Sequence, residues 1–239
     1  TFGDGGICLF EHPALPDSMS RPRYSPSAGT GPYTDTRYSF DVIYNGPLRS
    51  AIRVKTMNWN TGKGHYELEQ LYTAYAKKSY STCAVTYSKF HNTESGTMFG
   101  CGVRHIMNQY DSYRDGGLVV AFGKNVVVRP PNKQFGEKGV NLDFEGIALA
   151  VKSVYNPEYR DIKSGAFGEN HVMRVPVNSN RNYEYMIAGA WSEGRVNTTA
   201  DEFKKYMITA ALEFNNPPVI KGFSLEAKPE SLKGPKAEK

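Results

Sequence analysis

Four stretches of this chain carry side chains able to transfer protons or hold a charged ligand. The first is Gly100-Cys101-Gly102-Val103-Arg104-His105. On a strand, Gly100, Gly102 and Arg104 share one face, so bare backbone lies beside a guanidinium, and that combination can seat a ligand carboxylate. The same residues also suit a bulge, with Arg104 paired to a neighbouring acid. His105 falls on the opposite face with Phe99, Cys101 and Val103, which is the pattern of a core histidine unless the strand twists there. The second stretch ends at His171, after Gly165-Ala166-Phe167-Gly168-Glu169-Asn170. Imidazole titrates near neutrality, so a histidine at a strand mouth is a candidate base, or else a loop residue bonding backbone. The third is Asn108 to Asp115, expected to be an exposed loop, whose Tyr110 and Tyr113 could serve as acid or base. In the fourth, Tyr183, Tyr185 and Trp191 share a strand face. Such a row describes a core equally well, but Trp191, at the strand end, presents an indole face on which a sugar ring can stack. Arg53, on the outward face of the strand from Leu48 to Met57, is a further candidate for an anionic ligand.

Other chemistries lack their residues. A glycosidase needs two carboxylates facing each other across a site, whereas Glu67 with Glu69 and Asp143 with Glu145 sit at i, i+2 on single strands and read as solvated faces. Asp111 and Asp115 are too few for a calcium loop. His12 and His65 are isolated, and Cys8, Cys83 and Cys101 have no zinc spacing. No metal and no other cofactor is expected. The three cysteines allow one disulfide with one free thiol, or three buried thiols.

The elements that must position these groups are almost all strands. Gly6 to Phe10 is a short apolar strand, and residues 12–36 form a Pro-rich loop. From Tyr38 onward, alternation of period two recurs, with turn residues such as Asn45-Gly46-Pro47 between runs. In the strand from Leu48, the residues Leu48, Ser50, Ile52 and Val54 are expected inward. Phe122-Gly123-Lys124-Asn125 reads as a hairpin turn between two Val-rich runs. One helix is predicted over about 199–214, capped by Thr198 or Thr199, with Phe203, Met207, Ala210, Ala211 and Phe214 as its apolar stripe. About ten long strands with outward polar alternation imply antiparallel sheets packed face to face, an all-β super-sandwich with one C-terminal helix. The sandwich is expected over 1–220, with an extended polar tail at 221–239.

Composition narrows the partners. Of 239 residues, 39% are hydrophobic and 22% charged, so the chain can bury a core. The net charge of +5 resides partly in the tail, and no basic stripe or nucleic-acid module is present. No apolar run reaches the roughly 18 residues of a membrane helix. Neither nucleic acid nor membrane is expected as a partner. Sixteen tyrosines among 13% aromatics suit both strands and sugar-lined grooves. The opening at Thr1-Phe2-Gly3-Asp4 reads as the middle of something longer, a trimmed precursor or one piece of a larger protein.

The order of segments resembles a known family. Gly5-Gly6-Ile7-Cys8-Leu9-Phe10 comes first and Asn45-Gly46-Pro47-Leu48-Arg49 follows. After them come His171-Val172-Met173-Arg174-Val175 and then Tyr183 to Ser192, which leads into the helix. These match the later part of a bacterial family of formerly unknown function, found beside polysaccharide lyases and unsaturated glucuronyl hydrolases. That family is similar in fold to the galactose-mutarotase-like super-sandwiches. The insertion at 12–36 departs from its pattern, as does the lack of an N-terminal half, which a partner chain could supply. The resemblance implies a secreted or periplasmic lyase or dehydratase acting by β-elimination on uronate-containing oligo- or polysaccharide, such as that from ulvan. Elimination needs a cation at the carboxylate, a base for C5–H and an acid for the leaving oxygen. His171, Tyr110 and His105 are then the expected catalytic residues, and Arg104, Trp191, Tyr185 and Arg53 the substrate-binding ones. The alternative from another class is a non-catalytic carbohydrate-binding sandwich.

Overall fold

The period-two patterning becomes two layers of antiparallel strands. A computed structural model describes residues 2–3, 5–12, 14–15, 17–22, 35–127, 140–165 and 167–218. In chain order the strands are β1 (Gly6–Phe10), β2 (Arg37–Asn45), β3 (Arg49–Asn60), β4 (Gly64–Tyr75), β5 (Tyr80–Asn92) and β6 (Met98–Arg104). They continue as β7 (Asn108–Asp115), β8 (Leu118–Val127), β9 (Val140–Val151), β10 (Glu158–Ile162), β11 (Asn170–Pro176) and β12 (Asn182–Trp191). The helix α1 spans Ala200–Asn215. One sheet has four strands in the order β1-β6-β11-β10, and the other has eight in the order β2-β3-β4-β5-β12-β9-β8-β7. The expected all-β sandwich with a C-terminal helix is what the described residues form. The expected tail at 221–239 and the segment 23–34 of the Pro-rich stretch lie outside them.

The core is the apolar face that each sheet turns to the other. Ile7, Leu9, Phe99, Cys101, Val103, Met173 and Val175 of the small sheet meet Leu68, Val85, Tyr87, Leu149, Tyr183 and Tyr185 of the large one. The opposite face of the large sheet is covered by α1, whose Phe203, Met207, Ala210 and Ala211 pack on Val120, Phe122, Ala148, Met186 and Ala188. Thr199 caps α1, its hydroxyl accepting from the Glu202 N–H at 3.3 Å, which satisfies one of the four donors a helix start leaves open. Gly146 lets the helix approach closely, since a Cβ there would lie 2.5 Å from Phe203 Cδ1.

Several local expectations are corrected. Phe122-Gly123-Lys124-Asn125 is no hairpin; β8 runs straight through it with a bulge, and Gly123 is small because Ile106 packs against its backbone. Asn108 to Asp115 is strand β7 rather than a loop. Leu48 and Ile52, expected inward, are 77% and 47% exposed. The reason is layer width: four strands cannot cover eight, and the β2 and β3 wing, with Phe40 and Val42, overhangs the small sheet. All three cysteines are free and buried.

Candidate active site

The last strands of the two sheets, β10 and β7, meet across the sandwich, where Arg114 of β7 stands over the Tyr159 ring of β10. His171 is carried there by register. It lies on β11 opposite Val103 of β6 on one side and Asp161 of β10 on the other. It alternates with Met173 and Val175, so its side chain points between the sheets and is 1% exposed. Asn170, fully buried, anchors this strand start. Its amide accepts from the Phe2 N–H at 2.9 Å and donates to the carbonyls of Phe167 and Gly168 at 2.9 and 2.8 Å. The glycine-bearing turn before His171 is thereby tied down.

Both ring nitrogens of His171 are engaged. Nδ1 lies 2.7 Å from the Tyr159 hydroxyl of β10, and Nε2 lies 2.9 Å from Gln109 Oε1 of β7, across the gap between the sheets. A neutral ring with its hydrogen on Nε2 satisfies both, donating to Gln109 and accepting from Tyr159. Burial, and then the charge of His105, push the His171 pKa down to about 4, so the ring is neutral at pH 7. Burial and the charge of Asp161 push Tyr159 up to about 12, which keeps its hydroxyl protonated. The Arg114 guanidinium of β7 stands over the Tyr159 ring, 4.7 Å from its centroid.

His105 completes the cluster. β6 ends at Arg104, and beyond it the His105 N–H donates to the Glu169 carbonyl at 3.0 Å. The ring stacks on His171 with centroids 4.1 Å apart and 26° between planes. Its Nε2 lies 2.8 Å from Asp161 Oδ1, and its Nδ1 lies 3.5 Å from Glu169 Oε2. Lys163 Nζ stands 3.8 Å from the other Asp161 oxygen.

Of the residues expected to do chemistry, His105 and His171 are brought together. The others stand elsewhere. The space beside Gly100 and Gly102 is no groove: Cys8 and Phe10 fill it at Gly100, Phe2 and Val172 at Gly102. Arg104 leaves that face as β6 ends and reaches Glu145 of β9 at 2.5 Å, whose second oxygen accepts from Asn125 at 2.7 Å. Tyr110 is the bulged residue of β7 and 55% exposed, its hydroxyl raised in pKa by burial and by the charges of Asp111 and Asp201, and neither ring nitrogen of His171 is held by it. Tyr185 is fully buried in the intersheet core with its hydroxyl 3.3 Å from that of Tyr72, so no ligand can stack on it. Trp191 is half exposed at the end of β12, opposite Glu145 of β9 and in a hollow with Gly194 and Arg195 that holds neither histidine. Arg53 pairs with Asp41 across β2 and β3 at 3.3 Å. Tyr159, Asp161, Gln109 and Arg114 escape sequence reasoning, because β10 is a five-residue charged edge strand and β7 resembles a loop.

The molecule is thus a two-sheet antiparallel sandwich with a histidine, tyrosine and carboxylate cluster beside its terminal strands β7 and β10. Residues 2–220 match a family described as a domain of unknown function, DUF4861, and the chain belongs to that family. No curated protein matches the chain significantly.

Proposed function

We propose that the protein is a carbon–oxygen lyase that acts on uronic-acid-containing oligo- or polysaccharide by β-elimination, as a lyase or a dehydratase. The observation that carries this reading is the pairing around Tyr159. Its hydroxyl rests on His171 Nδ1 at 2.7 Å, and its ring lies under the Arg114 guanidinium. A proton-transfer group and a cation for a carboxylate therefore adjoin on one side chain. The family resemblance carried by the Gly5–Phe10, Asn45–Arg49, His171–Val175 and Tyr183–Ser192 segments supports the substrate class and the galactose-mutarotase-like affinity.

Elimination removes the proton at C5, next to the carboxylate, and breaks the bond from C4 to its oxygen. Tyr159 is the group in reach of substrate, since His171 is buried behind it. As the Tyr159 oxygen takes the C5 proton, its own proton passes to the lone pair on His171 Nδ1. The tyrosine then protonates the departing C4 oxygen and recovers its proton from His171. A ring whose pKa lies near 4 is a weak acceptor, so C5–H must be strongly acidified by positive charge at the carboxylate.

The test is ultraviolet absorbance on mixing with uronate oligosaccharides in buffer containing divalent cations, because elimination creates a conjugated double bond. Tyr159→Phe removes one hydroxyl and should lower the rate about 10²–10⁴-fold while leaving binding intact. Binding without any rise in absorbance would overturn the lyase reading in favour of a carbohydrate-binding module. Near-normal turnover in Tyr159→Phe would remove the tyrosine from the chemistry.

A further inference from the structure

We infer that His105, Asp161 and His171 form a binding site for a divalent transition-metal cation. One ligand atom from each lies within 4.8 Å of the others. Nitrogen and oxygen donors sit about 2.1 Å from such an ion, so two of them can be at most about 4.2 Å apart. A small side-chain adjustment closes the set. Asp161 and His171 face each other directly across β10 and β11, and His105 is stacked on His171, so backbone register and ring packing assemble the donors beforehand.

The angle between His105 and Asp161 bears on the same conclusion. The His105 Nε2 atom is 2.8 Å from Asp161 Oδ1 and shielded from solvent, yet it makes no directional hydrogen bond. Two donors that lie side by side rather than head-on are arranged to share a third body. Adjacent ligands of an octahedral ion are about 3 Å apart. The outer partners fit as well. His105 Nδ1 faces the Glu169 carboxylate at 3.5 Å, and His171 Nδ1 faces the Tyr159 hydroxyl at 2.7 Å. Metal-bound histidines are held in this way, by a carboxylate or hydroxyl on the nitrogen turned away from the ion. His171 would then bind through Nε2, where Gln109 Oε1 now sits at 2.9 Å as a neutral oxygen able to join the ion. Two imidazoles and one carboxylate suit zinc, manganese, iron or cobalt rather than calcium or magnesium, and they leave positions open for a ligand.

The role of such an ion rests on the elimination reading; the site itself does not. An ion here would adjoin Tyr159 and supply the positive charge that a uronate carboxylate needs. With Nε2 on an ion, the ring hydrogen would sit on Nδ1 and be donated to Tyr159, so in the loaded protein His171 would no longer receive the tyrosine's proton and Tyr159 would take the C5 proton directly as a phenolate.

The experiment is titration of chelator-stripped protein with Zn²⁺, Mn²⁺ and Co²⁺ by calorimetry, without substrate. One equivalent should bind, and His105→Ala and Asp161→Asn should each weaken binding at least tenfold. Glu169→Gln should weaken it by about 10–100-fold. Asp161 is exposed, so its variant tests the site with little risk to the fold. His65 and His91, exposed and opposite each other on β4 and β5, are the competing surface pair, and His65→Ala should leave affinity unchanged. Failure of all three metals to bind stoichiometrically, or binding lost in His65→Ala but kept in His105→Ala, overturns the site. Stoichiometric binding without elimination on any uronate keeps the site and removes the lyase reading. Elimination at full rate in stripped protein removes the ion from the chemistry.

Discussion

Replacing Arg104 by alanine separates two roles for that residue. Arg104 and Glu145 approach to 2.5 Å with side chains 25% and 14% exposed. Losing the guanidinium leaves Glu145 largely out of water, with Asn125 as a hydrogen-bond donor to its other oxygen. Exposed ion pairs contribute about 0–1 kcal/mol, and breaking a fully buried pair costs about 3–5 kcal/mol. This pair is mostly buried and one oxygen keeps its donor, so the loss should be about 2 kcal/mol. For a chain of this size each kcal/mol shifts the midpoint by about 2–4 °C, so Arg104→Ala should melt roughly 4–8 °C lower. Urea denaturation of Arg104→Ala, Glu145→Gln and the double variant gives the coupling directly. The double variant should lose less than the sum of the singles by about 1–2 kcal/mol. A variant that melts like the wild type while losing affinity for anionic sugar would refute this, and would return Arg104 to the ligand-binding role that its glycine neighbours suggest in sequence.

Further outcomes follow from packing. Burial pushes the Cys83 thiol up to about 12 and raises Cys8 and Cys101 as well. The native chain should therefore resist a thiol-specific disulfide reagent at pH 8 and show three reactive thiols only after unfolding; rapid labelling of native protein would contradict the burial. Gly100→Ala places a Cβ 2.7 Å from Phe10 Cε2, and nearer still to Cys8, and should cost about 1–3 kcal/mol in chemical denaturation. Gly189→Ala, whose nearest neighbour is 3.9 Å away, should change stability by less than about 0.5 kcal/mol. Equal losses at the two positions would refute the contrast in packing.

Strands β4 and β5 are legible from sequence because alternate residues such as Tyr66, Leu68, Cys83, Val85 and Tyr87 are buried, β12 because its aromatic and apolar residues fill both of its faces, and α1 because of its cap and apolar stripe. Period-two reasoning fails where layers end. Ile52 has the residue type and phase of a core position, but it is 47% exposed, since among the described residues the four-stranded sheet does not reach across it. Tyr185 has the type of a ligand platform, but it lies beneath that sheet. β10 is missed because Glu158, Arg160 and Asp161 mask its pattern, and with it go Tyr159 and Asp161. His171 can be picked out by its type and by the turn before it. Its partners cannot, since Gln109, Tyr159 and Asp161 meet it only through strand register and the packing of one sheet on the other.

That dependence accounts for where the cluster lies. The outer face of the large sheet at β8, β9 and β12 is closed by α1, and that of the small sheet by Phe2, Phe10, Met19 and Met98. Between the sheets, polar groups are excluded unless paired. Only at an edge can a side chain be fixed by both layers and still adjoin solvent. β7 and β10 are such edges. Gln109 and Arg114 reach from one, Tyr159 and Asp161 from the other, and His171 is held between them. The dry setting keeps the imidazole neutral, whereas a solvated histidine would titrate near 6.5. A group so held can accept a proton from Tyr159 or ligate a cation at neutral pH, because its lone pair is not taken up by a proton from water.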